Sequence, residues 1–186
     1  MNYNKKISDT QVRIGEVRFS YATVFSPKPG QNGGDPKYSC AILIPKENTA
    51  AVDMIRSAIN AAKELGKSSK WGGKIPGNCK IPLRDGDIDR EDDANYAGHW
   101  FINANSPAKS KPAVKVLQDG NLFDALDEED FYSGCYGAAV LNFFPYENSG
   151  SKGVGAGLNI VLKTRDGEKL SGGVNVETAL GDMLDF

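Results

Sequence analysis

Residues 131–146, FYSGCYGAAVLNFFPY, decide the fold. The run is rich in aromatic and apolar residues, with Pro145 next to its end, so it reads as one long strand. Alternate side chains of a strand share a face. Cys135, Ala139, Leu141 and Phe143 then form a core face, and Tyr132, Tyr136, Asn142 and Tyr146 point the other way. A strand that turns three tyrosines away from the core presents flat, amphipathic rings.

Other segments of the same type surround it. VRIGEVRFSYATVF (12–25) is a long strand with a bulge at Gly15. The Gly- and Pro-rich loop SPKPGQNGGDP joins it to KYSCAILIP (37–45) as a hairpin. HWFINAN, AVKVL and LNIVLKT are further strands, and NSGSKGVGAG is a Gly-rich turn. In 158–165, Leu158, Ile160, Leu162 and Thr164 should face the core, with Asn159, Val161, Lys163 and Arg165 opposite. One strong helix interrupts the strands. Asn48 or Thr49 caps it, Val52, Ile55, Ile59 and Ala62 lie at helical spacing, and Gly66 is placed as the residue just past its end. Residues 67–87 read as an extended basic loop. Six or seven strands that do not alternate with helices exclude a parallel βαβ plan. The expected class is mainly β: a small antiparallel barrel with one inserted helix and long loops.

The chain of 186 residues suggests one domain. No apolar run approaches the ~20 residues that span a bilayer, and the N-terminus lacks a signal-peptide core, so a cytoplasmic protein is expected. Cys40, Cys79 and Cys135 are odd in number and far apart, which suggests reduced thiols rather than a disulfide frame or zinc site.

The net charge of −2 hides a segregation of sign. Segments 85–93, 119–130 and 177–186 hold fifteen of the 24 acids and one of the 22 bases, leaving 21 bases against nine acids elsewhere. A basic body with acidic segments points to a polyanionic partner.

Catalytic motifs fail on their spacing. The GKS at 66–68 has Ala61 where a phosphate loop needs Gly. Gly153, Gly155 and Gly157 precede a strand, not the helix of a dinucleotide site. Asp85, Asp87 and Asp89 start like a calcium loop, but Arg90 and Tyr96 occupy its glycine and glutamate positions. His99, the only histidine, has no spaced metal-ligand partners. No cofactor and no metal is expected.

Rings and cations together suit sequence-tolerant binding of a single strand: bases stack on aromatics while Lys and Arg track phosphates. The candidate contacts are Tyr21, Lys67, Lys70, Trp71, Lys74, Arg84, Lys109, Lys111, Tyr132, Tyr136, Tyr146, Lys152, Lys163 and Arg165.

The ordered run IPLRDGD (81–87), FYSGCYGAAVLNFFPY (131–146), GVGAGLN (153–159) and RDGEKLSGG (165–173) resembles the motifs of a family of bacteriophage single-stranded-DNA-binding proteins, once catalogued as a domain of unknown function. VRFSYATVFSP (17–27) and KYSCAILIPK (37–46) resemble its first two strands, and the likeness runs from Ile7 to Gly173. The resemblance implies an OB-fold with an inserted helix over residues 1–173. It also implies non-enzymatic protection of single-stranded DNA in replication or recombination, in the host cytoplasm. Residues 174–186 are expected to be a flexible acidic tail, with Glu177, Asp182, Asp185 and Phe186 as a hook for other replication proteins. Its acidic, Phe-ended character resembles that of bacterial and phage single-strand-binding proteins. An isologous homodimer is compatible with the sequence, although no motif supports one. The competing readings are a metal-dependent nuclease or phosphoesterase that uses the 85–93 carboxylates, and a structural phage protein.

Overall fold

The computed structural model describes residues 2–170. Nine strands and two helices follow in the order β1 (Lys5–Lys6), β2 (Gln11–Lys28), β3 (Lys37–Pro45), α1 (Thr49–Ser69), β4 (Leu83–Asp85), α2 (Gly86–Asp89), β5 (His99–Pro107), β6 (Ala113–Gln118), β7 (Asn121–Asp124), β8 (Tyr136–Asn148) and β9 (Ser151–Arg165). Five strands close a barrel in the order β2-β3-β5-β9-β8 and back to β2. Every contact is antiparallel except β5 with β9, which meet in parallel at Asn105 and Gly157. This is the strand order of an OB-fold, with α1 inserted between its second and third strands. The hairpin of β6 and β7 extends β9 outward.

The core lies inside the barrel and under α1. Ile14, Val17, Phe19, Ile42, Ile44, Ile102, Leu141, Phe143 and Val161 are all buried there. Asn48 caps α1, its side-chain oxygen accepting from the Ala51 amide at 3.3 Å. The stripe Val52, Ile55, Ala58, Ile59 and Ala62 is buried against the barrel. Its three large side chains contribute roughly 5–9 kcal/mol of gross burial. Gly66 belongs to this stripe and does not end the helix, which continues to Ser69. A Cβ at Gly66 would lie 2.6 Å from the Trp71 ring and 2.7 Å from Pro145, so glycine here permits close packing.

The long strand starts five residues later than expected, since Phe131–Cys135 form a turn. Conversely, the Gly-rich stretch 151–157 is strand, and the turn is only Ser149–Gly150, both at positive φ (48° and 82°). The Gly15 bulge is present, as the β2–β8 register shifts between Ile14 and Val17. A second bulge overturns the parity reading of 158–165. Val140 pairs with Ile160 but Leu141 pairs with Leu158, which leaves Asn159 as the extra residue. Beyond it the faces exchange: Val161 is buried and Ile160 is exposed. The acidic segment 119–130 also contains β7, an edge strand that sequence pattern did not announce.

Candidate nucleic-acid interface

One row of register partners crosses the outside of the barrel: Thr23, Ser39, Asn105, Gly157 and Asn142, on β2, β3, β5, β9 and β8 in turn. At about 4.8 Å per strand the row is roughly 19 Å long. Its side chains are small or amide-bearing, and none is an acid. From Phe101 to Gln118 the chain has no acid at all. Lys28 pairs with Lys37, which pairs with Pro107, and the Ala108 amide donates to the Pro36 carbonyl at 3.3 Å. The turn after β5 therefore lies against the loop between β2 and β3. This gathers Lys28, Lys37, Lys109 and Lys111 along one side of the row. All four are exposed and in no ion pair among the described residues. The face of the second and third barrel strands and its flanking loops are where OB-folds bind oligonucleotides.

The glycines of GVGAG now have a physical reason. Gly153, Gly155 and Gly157 alternate with the buried Val154, Ala156 and Leu158, so they form the outer side of β9. The side chains of Tyr146, Phe144 and Asn142 lie across them. A Cβ at Gly155 would sit 2.7 Å from the Phe144 ring, and one at Gly157 would collide with the Asn142 amide. The Phe144 ring is 40 % exposed.

A second group of rings lies at the far end of β8. Arg165 stacks on Tyr136 at 3.7 Å from the ring centroid, and Arg18 approaches the same ring at 5.1 Å. The segment after β9 straps over this place. Leu170 donates its amide to the Ser133 carbonyl at 2.9 Å, and Arg18 donates to the Glu168 carbonyl at 3.1 Å. Tyr132 is fixed under the strap, its hydroxyl donating to Asp166 at 2.8 Å. Lys163 points to the core side of the Asn159 bulge, is 12 % exposed and pairs with Asp166 at 2.8 Å. Lys163 and Tyr132 hold the Asp166 carboxyl below its ordinary value. Tyr21 is 60 % exposed at a left-handed φ of 47°, a strained conformation for tyrosine. Arg90 holds it there, donating to its hydroxyl at 2.9 Å.

The carboxylates of 85–93 are mostly engaged by cations of the chain. Lys46 binds Asp85 at 2.6 Å and Asp87 at 2.7 Å, Arg84 binds Asp89 at 3.1 Å, and Arg90 binds Asp93 at 3.3 Å. Lys46 and the Gly98 amide lower the Asp87 pKa. Such tethered carboxylates do not form the open cluster that two-metal chemistry requires. Among the described residues no three acids, histidines or cysteines are grouped to hold a metal ion.

The sequence candidates thus separate into places. Tyr21, Tyr132, Tyr136, Lys163 and Arg165 gather at the strap end. Lys109 and Lys111 flank the transverse row. Lys67, Lys70, Lys74, Tyr146 and Lys152 lie by the β8–β9 turn, where Lys152 faces Glu147 at 3.7 Å. Trp71 is at this end too, but it is 6 % exposed, and its indole donates to the Tyr146 carbonyl at 3.3 Å. Its ring packs the loop onto α1 and is not an open stacking face. Arg84 stands apart, over Phe101. Glu177, Asp182, Asp185 and Phe186 lie outside the described residues. Sequence reasoning missed Phe144, although its parity matches Asn142 and Tyr146. Arg18, Arg90, Lys28, Lys37 and Asn105 carried no signal, because only the folded register brings them to these places.

Known proteins resemble the chain over nearly its whole length. A family model described as "Enterobacter phage Enc34, ssDNA-binding protein" matches residues 10–185. Protein p50 of Acyrthosiphon pisum secondary endosymbiont phage 1 is 34% identical over 172 residues, 88% of each chain. The single-stranded DNA-binding protein of bacteriophage Enc34, solved in complex with ssDNA, superposes with a TM-score of 0.75 at 29% identity, over 92% of this chain and 98% of that one. Gp2.5, a single-stranded DNA binding protein encoded by bacteriophage T7, shares the fold at a TM-score of 0.55 and 14% identity, over 87% of this chain and 93% of that one.

Proposed function

The chain belongs to the family of the Enterobacter phage Enc34 single-stranded-DNA-binding protein, and on that premise we propose that it coats single-stranded DNA without regard to sequence and performs no chemistry. The observation that carries this reading is the acid-free outer row of β2, β3, β5, β9 and β8, flanked by four lysines in no ion pair among the described residues. Amide and hydroxyl groups offer both donors and acceptors, so they accept any base, and lysines neutralise phosphates without reading sequence. Tyr21 and Tyr146 supply stacking surfaces, Tyr136 can join only by exchanging Arg165 or Arg18 for a base, and Lys67, Lys70, Lys74, Lys109, Lys111 and Arg165 supply cations along the strand. Arg84 and Lys152 can join only by exchanging Asp89 and Glu147 for phosphate. Tyr132, Lys163 and Trp71 support these places from beneath.

The protein acts in the cytoplasm of the bacterial host, in replication or recombination. Residues 1–173 are the binding domain. The acidic tail 174–186 competes with DNA for the basic face when DNA is absent. When displaced, it offers Glu177, Asp182, Asp185 and Phe186 to other replication proteins.

Anisotropy of a labelled oligo-dT, titrated with full-length protein and with a truncation after Gly173, tests both parts. Full-length protein is expected to bind the oligonucleotide with a log–log salt slope near −0.7 per phosphate contact. The truncation is expected to bind more tightly at low salt. Absence of binding, or affinity independent of salt, overturns the DNA reading. Equal affinities of the two chains at low salt overturn the competing tail.

A further inference from the structure

A cavity of about 380 Å³ opens on the outside of the barrel where β5, β9 and β8 meet. Phe144, Asn105, Asn142, Asn159 and Lys111 line it. We propose that it is a nucleotide pocket, in which Phe144 stacks one base, the three asparagine amides meet the base edge and Lys111 takes the adjoining phosphate. The inference rests on the DNA reading above and assigns it a specific subsite.

Two independent features converge on this pocket. The first is the ring. One face of Phe144 is laid against Gly155, which only a residue without a Cβ allows, and the ring remains 40 % exposed. A flat apolar surface held rigid by a backbone platform loses little conformational freedom when a base covers it. The second is the set of amides. The side chains of Asn105 and Asn142 make no hydrogen bond among the described residues. Asn159 uses only its oxygen, accepting from the Gln11 amide at 3.3 Å. Converging polar groups beside an apolar wall are what a small-ligand site of this size requires. An amide offers a donor and an acceptor, so three of them serve any base edge. Lys111 is exposed at the rim, and among the described residues it is in no ion pair and no acid lines the cavity. A free anion without a ring would gain nothing from Phe144, and an apolar ligand would strand the amides. A nucleotide uses all three kinds of group.

The test uses the full chain and labelled oligo-dT, with anisotropy measured from 0.05 to 0.3 M salt. Phe144→Ala is expected to weaken binding about 5- to 150-fold, the range for one lost base stack, with the salt slope unchanged. Phe144→Trp should retain binding. Lys111→Gln should weaken binding and reduce the slope by about 0.7. Phe123→Ala, an exposed ring on β7, should match the parent chain. Asn105→Asp keeps size but sets a carboxylate in the pocket; it should weaken binding and serves as the deciding variant if Phe144→Ala melts early. Parent-level binding by both Phe144→Ala and Asn105→Asp overturns the pocket while leaving the DNA reading intact. Failure of the parent chain to bind oligo-dT overturns both.

Discussion

Replacing Lys28, Lys37, Lys109 and Lys111 together by glutamine separates a DNA track from a merely basic surface. These four lysines flank one side of the transverse row through the Lys28–Lys37 and Lys37–Pro107 pairs, and all are exposed. Each phosphate contact to a single strand contributes about −0.7 to the slope of log affinity against log salt. Four lost contacts should therefore flatten the slope by about 2.8. Between 0.05 and 0.2 M salt the parent chain should lose ~50-fold more affinity than the variant, from the same relation. Exposed lysines outside ion pairs leave the fold within about 0.5 kcal/mol. The control is Lys115→Gln: Lys115 is bound to Asp124, so its loss should leave the slope alone. The assay is anisotropy of labelled oligo-dT over that salt range, alongside thermal melts. A quadruple variant whose slope falls by less than one contact's worth refutes the placement of the phosphates. So does a control that flattens the slope as much as one of the four.

Three further outcomes follow from the packing. Gly66→Ala should destabilise the fold by up to ~2 kcal/mol in urea titration, because overpacking against Trp71 and Pro145 exceeds the ~1 kcal/mol gain in helix propensity; a stabilised variant contradicts the close contact. Thiol reagents should label Cys79 alone in the native state, since Cys40 and Cys135 are buried and burial pushes the Cys135 thiol up to about 11. Labelling of either before unfolding counts against the barrel core. The Asp166 carboxyl has a folded pKa below its ordinary 3.8, so its contribution to strap docking is present above that value and is lost as pH falls through the folded one. Carboxyl NMR should place its midpoint under 3.8, and a midpoint at or above 3.8 would show that Lys163 and Tyr132 do not hold it.

Much of this fold was legible because its signals are local. The β3 strand was read to its ends from KYSCAILIP, and Asn48 and the Ile55–Ile59 stripe announced α1. What was not legible depends on partners distant in sequence. Gly66 looks like a helix terminus until Trp71 and Pro145 are known to press on it. GVGAG looks like a turn until Phe144 and Asn142 are seen lying across it. The parity of β9 could not survive the bulge at Asn159, which is visible only in its register with β8, so Lys163 moved from the outer face to the inner. The site was half visible for the same reason. Tyr132 and Tyr136 were found by alternation, but the strap holds the one and Arg18 and Arg165 cover the ring of the other. The open ring, Phe144, belonged to a residue type that composition assigns to the core.

The central claim is that a single strand lies on the outer face of β3, β5, β9 and β8. Photocrosslinking of bromouracil-substituted oligonucleotide to the full chain, with mapping of the adducts by mass spectrometry, tests it most directly. Adducts are expected within residues 101–111 and 142–160, with Phe144 among them. Adducts confined to the exposed side of α1 or to the β6–β7 hairpin would contradict it.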